Sequence, residues 1–156
     1  GILGASGALL GGYLADRLAK SDKRWNAWII AVGKLAAAPL GLAFYLTDDF
    51  NTALIFYLPA TVLGAFYLGP SFAIVQSTAP LAMRATLSAI MLFILNLIAL
   101  GLGPLAVGAL SDALKETYQQ DSLRYALMLT SLVNIWAAVH FILAGNAYAK
   151  EMAAKA

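Results

Sequence analysis

The chain has 156 residues, of which 62% are hydrophobic and only 12% are charged. A soluble domain carries about twice that charged fraction, so the composition excludes a soluble globular protein. The net charge of +2 comes without a long basic tract, which excludes an electrostatic footprint for nucleic acid, and the lack of cysteine excludes disulfides, thiol catalysis and zinc–thiolate or iron–sulfur sites.

Long uncharged runs predict the helices of this chain. A membrane-spanning helix needs about 20 apolar residues, at about 1.5 Å each, to cross a hydrocarbon core about 30 Å thick. Strands of a transmembrane barrel would be about 10 residues long and would alternate apolar with polar residues, unlike these runs. The sequence therefore predicts an all-α, polytopic transmembrane bundle. Its five helices are expected at about 1–18, 25–47, 52–77, 85–112 and 122–148.

The first uncharged run, 1–15, is short and ends in the charged pair Asp16–Arg17. A secretory signal would open with Met and basic residues and close on a cleavage site of small residues, and this run does neither. We therefore expect the chain to begin inside a membrane helix and the N-terminal part of the parent protein to be missing.

At the end of this first helix, Gly11 and Gly12 would permit a close helix contact. Asp16 follows at the C-terminal end of the helix, where the helix dipole disfavours a carboxylate. We therefore expect Asp16 to face a positive group, such as another helix's N-terminus or a basic side chain. The alternative is a solvated loop with snorkelling cations.

The second helix contains Lys34, the only formal charge deep in a predicted span. Intramembrane charges are functional-site candidates by default, which keeps substrate or coupling contact open. The favoured interpretation is that Lys34 snorkels to the membrane interface. Every Asp and Glu lies at a helix end or in a loop, so the chain offers no mid-membrane proton carrier.

Polar residues at helical spacing mark two further faces. Tyr57, Thr61 and Ser71 share one face of the third helix, and Asn96 lies on a face of the fourth. Polar groups in lipid must find partners within the protein, and ordinary interhelical hydrogen bonds are one way in which these four residues would find them. Also in the fourth helix, Gly103–Pro104 predicts a bend, because proline removes a backbone hydrogen bond and clashes with the preceding turn.

Basic residues predict the orientation. Two of them, Lys115 and Arg124, lie on one side of the membrane, and seven lie on the other: Arg17, Lys20, Lys23, Arg24, Arg84, Lys150 and Lys155. By the positive-inside rule, the loop at 17–25 and the C-terminus are cytoplasmic. An integral protein of a bacterial inner (plasma) membrane is expected.

A remote alternative is an intramembrane serine protease. Gly4–Gly7 matches the G-x-S-G pattern of rhomboid proteases, with Ser6 as nucleophile and His140 as base. The two residues are four helices apart instead of two, so Ser6 is better interpreted as a packing residue. We expect no catalytic residues, no metal, no cofactor and no enzymatic activity.

The run from Gly12 to Arg24 resembles the G-x-L-x-D-R-x-x-[RK] loop signature of the major facilitator superfamily, although Ser21–Asp22 replaces residues that are basic in many members. Further similarities to its spinster-like branch cover the rest of the chain, which would correspond to the eighth through twelfth helices. They are Gly69–Pro70, Pro80, Arg84, Asn96–Leu97, Gly103–Pro104, Gly108 and Ser111–Asp112.

This resemblance implies a conformational lock at the cytoplasmic face, formed by Asp16 and Arg17 with Gly12 allowing close approach and Arg84 in support. It implies that Gly103, Pro104 and Gly108 shape the bend of the eleventh helix. It also implies that the tenth and eleventh helices contribute to a central cavity, which makes Tyr57, Thr61, Ser71 and Asn96 the candidate lining of a substrate cavity. The implied function is secondary active transport by alternating access. The implied partners are a small, amphipathic or lysolipid-like solute, the lipid bilayer and the missing N-terminal half, with proton coupling left open. The alternative is a non-transporting membrane subunit or packing fragment.

Overall fold

The computed structural model describes residues 1–154, which form helices and no strand. Lys155, counted above for the orientation, lies outside these residues. The predicted all-α class is confirmed. The α-helices are α1 (Ile2–Leu18), α2 (Trp25–Leu46), α3 (Phe50–Gly64), α4 (Leu68–Thr78), α5 (Arg84–Asn96), α6 (Gly103–Tyr118), α7 (Ser122–Ser131) and α8 (Val133–Ala154).

Three helical stretches are long and apolar enough to cross a membrane: Trp25–Leu46, Phe50–Thr78 and Leu81–Ala154. The last stretch includes both of the spans predicted at 85–112 and 122–148. Gln119, with φ of 47°, lies between α6 and α7 and reverses the chain there, so that α6 packs against α7. Helix α1, with 17 residues, is shorter than these stretches.

Short segments of other helix types interrupt the spans. The 3₁₀ segment Ala65–Tyr67 joins α3 to α4, and the π-helical segment Leu97–Leu102 joins α5 to α6. Helices α7 and α8 meet at Leu132. These breaks divide each of the last three predicted spans into two helices.

Helix α2 is the centre of the bundle and packs against α1, α3 and α8. Its buried positions include Ala27, Ala31 and Gly33 as well as the larger Ile30, whereas many large apolar side chains such as Phe93 on α5 remain exposed. Small residues inside and large apolar residues outside are the pattern of helices that pack in lipid, where burial of apolar surface gives no driving force between helices.

Glycines bring the third span very close to its neighbours. A Cβ added at Gly7 of α1 would clash with the carbonyl oxygen of Val62, and one at Gly11 would lie 2.6 Å from that of Phe66. On α2, a Cβ at Gly33 would lie 2.8 Å from the Leu63 oxygen. The middle of the third span is therefore held between α1 and α2 at backbone contact distance.

Candidate functional site

An open groove of about 450 Å³ runs between α1 and α4 at the end of the bundle where α1 terminates. We call this end the basic end, because it includes the loop Ala19–Arg24. Gly12 and Asp16 line one wall of the groove, and Gly69 and Pro70 line the other. Small residues line much of the groove, including Ala8, Ala15 and Ala73 beside the two glycines, although Leu9 and Tyr13 also border it. Small residues let a helix approach the backbone closely.

Asp16 is exposed at the C-terminal end of α1. Among residues 1–154 it has no hydrogen bond or ion pair, so the positive group expected to face it is not in the described part of the chain. Arg17 is also exposed, and the Nε of Arg84 lies 3.5 Å from the Ala79 carbonyl oxygen. The structure thus joins Gly12 and Asp16 in one groove and pairs neither arginine with Asp16.

The structure contains only part of the close helix contact that was expected at Gly12. A Cβ at Gly12 would meet no atom within 4 Å, although Gly12 itself is approached by Gly69, whose added Cβ would lie 3.3 Å from the Gly12 Cα. The tight contact of α1 falls one residue earlier, at Gly11. The side of Gly12 that faces away from the bundle is open, and it is available to a segment outside the described residues.

A second cavity, of about 210 Å³, lies between α2, α3 and the junction of α7 with α8. Tyr57, Thr61 and Gly64 line it along one face of α3, as their helical spacing predicts. The Thr61 hydroxyl donates to the Tyr57 carbonyl oxygen at 2.8 Å, and the rings of Tyr57 and Phe44 lie 5.4 Å apart. The cavity is therefore lined by both aromatic and small residues.

Two polar residues of this cavity were missed from the sequence. Ser131 and Asn134 flank the break between α7 and α8, and each side chain bonds a carbonyl oxygen of the preceding turn. Irregular backbone at membrane depth is tolerated where it is buried or lines a cavity. The cluster Thr130–Ser131 with Asn134 inside an apolar run was the available signal for this break.

Ser71 and Asn96 do not join Tyr57 and Thr61. Ser71 lies on α4, beyond the 3₁₀ segment, and Asn96 is exposed on α5 with its Nδ2 donating to the Leu92 carbonyl oxygen at 2.8 Å. The four candidate cavity residues are therefore distributed over both halves of the third span and over the fourth. Only the first two share a cavity.

Lys34 was expected to snorkel to the membrane interface, and in this structure its side chain instead reaches the middle of the third span. Its Nζ donates to the Gly64 carbonyl oxygen at 3.3 Å and lies 4.8 Å from the centre of the Tyr67 ring. Gly64 ends α3 in the middle of the stretch Phe50–Thr78. The charge is held at membrane depth because a helix break offers it a carbonyl and an aromatic face.

The fourth span changes helix type next to its predicted bend. The π-helical segment ends at Leu102, and the N–H of Gly103 donates to the Ile98 carbonyl oxygen, immediately before Pro104. Gly103, Pro104 and Gly108 line an apolar groove of about 800 Å³ between α6 and α7. π-Helical segments of this kind often occur where a helix serves a function.

The protease alternative finds no support in the described residues. The Ser6 hydroxyl donates to the Leu3 carbonyl oxygen at 2.8 Å, and the His140 Nδ1 lies 3.0 Å from the Trp136 carbonyl oxygen. Each side chain thus bonds its own helix, and no hydrogen bond joins the two. Within residues 1–154 no three His, Asp or Glu side chains are grouped to hold a metal ion.

No protein-family model matches the chain. Among curated proteins, an MFS-type efflux pump of Mycolicibacterium smegmatis is 33% identical over 97% of this chain and 35% of its own length. Protein spinster homolog 1 of Xenopus laevis is 27% identical over 86% of the chain and 27% of its own length. The chain thus spans about a third of the curated relatives that it matches.

A solved transporter structure shares the fold of this chain. A crystal structure of a bacterial homologue of the human lysosomal transporter spinster, inward-facing and unoccupied, covers 96% of this chain with a TM-score of 0.81 and 24% identity, over 38% of its own length. The resemblance to the major facilitator superfamily and to its spinster-like branch is confirmed. The apolar helices and these relatives indicate that the chain is part of an integral membrane protein.

Proposed function

We propose that this chain, a relative of spinster-type transporters of the major facilitator superfamily with the fold of part of such a transporter, is one segment of a longer secondary transporter. The chain would supply the eighth through twelfth helices, and the parent protein would add the N-terminal half. The whole protein would move a small, amphipathic or lysolipid-like solute by alternating access around a midplane site.

The observation that carries this proposal is the groove between α1 and α4. Gly12 and Asp16 lie on one of its walls, and Asp16 is an exposed carboxylate without a partner in residues 1–154. A carboxylate at the C-terminal end of its own helix is electrostatically unfavourable until a positive group compensates it. In the proposed lock, a helix of the other half seats in this groove and brings that positive group.

The solute path would use the cavity behind Tyr57 and Thr61 and the faces of Ser71 and Asn96, which the other half would complete. The basic end would face the cytoplasm of a bacterial cell, as the distribution of Lys and Arg predicts. Since the carboxylates of the chain lie at helix ends or in loops, any mid-membrane proton carrier would lie in the missing part of the parent protein.

The test has two steps. The reading frame upstream of Gly1 is predicted to encode seven further spans, with a second loop of the G-x-L-x-D-R type between the second and third. The complete protein is then reconstituted in liposomes, and uptake of a fluorescent lysophospholipid is followed with and without a pH gradient, with a neutral sugar in parallel. Uptake of the lysophospholipid above empty liposomes supports the proposal. No uptake of either solute, or a start codon directly before Gly1, would favour the non-transporting alternative.

A further inference from the structure

The third span is not a continuous α-helix. Helix α3 ends at Gly64, the 3₁₀ segment covers Ala65–Tyr67, and α4 begins at Leu68. In a continuous α-helix the N–H of Leu68 would donate to the Gly64 carbonyl oxygen. Here it donates to the Ala65 oxygen instead. The Gly64 carbonyl has therefore exchanged its α-helical donor for the Tyr67 N–H of the 3₁₀ turn, whose hydrogen-bond geometry is poorer, in the middle of an apolar span.

Lys34 of α2 supplies a second donor to the same oxygen, which has two lone pairs. Its Nζ bonds the Gly64 oxygen at 3.3 Å, and the same ammonium lies 4.8 Å from the centre of the Tyr67 ring. Both contacts of the ammonium thus fall on the break, at its first and last residues. Backbone groups in lipid must be satisfied within the protein, and an ammonium is attracted to an aromatic face.

No neighbouring carboxylate of the described residues competes with the Gly64 oxygen for the Lys34 ammonium. No carboxylate of residues 1–154 lies within ion-pair distance of its Nζ. The neighbouring Gly33 brings α2 to contact distance of the Leu63 backbone, while Gly7 and Gly11 of α1 hold the opposite side of the same turn. The break is therefore clamped on two sides by glycines, and Lys34 is the side chain that bonds its backbone from another helix.

We propose that Lys34 is a positioning residue that holds the break at Gly64 and so sets the angle between α3 and α4. Without the ammonium, the Leu68 N–H returns to the Gly64 oxygen and the span relaxes towards a continuous α-helix. The cavity of Tyr57 and Thr61 lies on α3, and the Gly69 wall of the basic-end groove lies on α4. Lys34 thereby fixes the position of the cavity relative to the basic-end groove. Only the consequence for transport rests on the proposed function.

The lack of native cysteine allows a direct test. Spin labels are attached to Ile55→Cys on α3 and Gln76→Cys on α4, both at exposed positions, in the complete protein in lipid nanodiscs. The two sites are 21 residues apart, so about 30 Å separates them along the helices, a distance suited to pulsed electron resonance. Lys34→Met keeps the aliphatic stem and removes the donor, whereas Lys34→Arg keeps the charge and the donors.

The proposal expects the distance distribution to shift and broaden in Lys34→Met and to stay as in the parent in Lys34→Arg. Lys115→Met, on the exposed face of α6, is the matched lysine control and should change nothing. Lys34→Gln, which keeps a shorter neutral donor, replaces the Met variant if that variant does not fold, and it is expected to shift the distribution less. An unchanged distribution in the variant that lacks the donor overturns the proposal.

Transport measurements separate the positioning role of Lys34 from the proposed transport function. If the proposed function holds, Lys34→Met lowers uptake severalfold and Lys34→Arg restores it. A shifted distance in a protein that moves no solute would leave the positioning role standing and remove the function. An unchanged distance in an active transporter would remove the positioning role alone.

Discussion

The indole of Trp28 on α2 lies directly over Gly145 on α8. A Cβ added at Gly145 would fall 2.7 Å from Cδ1 of the ring and 3.1 Å from the Arg24 carbonyl oxygen. The Nε1 of Trp28 also donates to the Ile142 carbonyl oxygen at 3.2 Å. The last helix is therefore fixed to the central helix by one aromatic side chain that only glycine admits.

Gly145→Ala should destabilise the bundle. The added methyl group would press on the Trp28 ring and on backbone, and overpacking of this kind costs about 1–3 kcal/mol. Gly41→Ala, in α2, is the matched control, because a Cβ there meets nothing within 4 Å and the helix gains up to about 1 kcal/mol of propensity. Thermal unfolding in detergent measures both. Equal melting temperatures for the two variants would contradict the packing described for Trp28.

The N-terminus of α3 predicts an acid-sensitive cap. The Thr52 N–H donates to Asp49 Oδ2 at 2.7 Å, and hydrogen bonds from the Thr52 side chain and backbone hold the Asp49 pKa below its ordinary value of 3.8. A lowered pKa in the folded state adds stability above about pH 3.8, which is lost as pH falls through the lower folded value.

Asp49→Asn keeps a capping side chain and removes the titration. The difference in melting temperature between the parent and Asp49→Asn, measured from pH 6 to pH 3, should therefore move against the parent below about pH 3.8. Other carboxylates titrate in both proteins and cancel. A difference that stays constant over this range would show that the cap does not depend on the charge.

The loop between α2 and α3 is tied to α7 by an ion pair. Arg124 Nη2 bonds Asp48 Oδ1, and Arg124 Nη1 lies 3.9 Å from Asp121. Because the Asp48 side chain is 83% exposed, solvent screens the pair and we expect a coupling energy of only about 0.2–1 kcal/mol. A double-mutant cycle of Asp48→Asn and Arg124→Gln measures it. Coupling that persists undiminished in 1 M salt would be inconsistent with a surface pair.

The sequence predicts the helical class and the face shared by Tyr57 and Thr61, because both follow from local apolar periodicity. It does not predict the break at Gly64. Pro59 lies inside α3 without ending it, and the helix changes type beside the places where glycines of α1 and α2 leave room for its backbone. The partner of Lys34 was unforeseeable for the same reason, since the Gly64 carbonyl loses its α-helical donor only through that break. Asp16 is visible in the sequence, whereas the counterpart proposed for it would come from outside the described residues.

The most direct test of the proposed lock is the initial rate of solute uptake by the complete protein in liposomes, compared between Asp16→Asn and Asp22→Asn at equal protein. Asp22 lies in the loop that follows α1 but accepts a bond from the Arg24 N–H at 2.9 Å, so it serves as the matched control. We predict that Asp16→Asn loses about tenfold in rate, or about 1.4 kcal/mol, the scale of one hydrogen bond to a charged group, while Asp22→Asn stays near the parent. An Asp16→Asn protein that transports at the parent rate would contradict the lock.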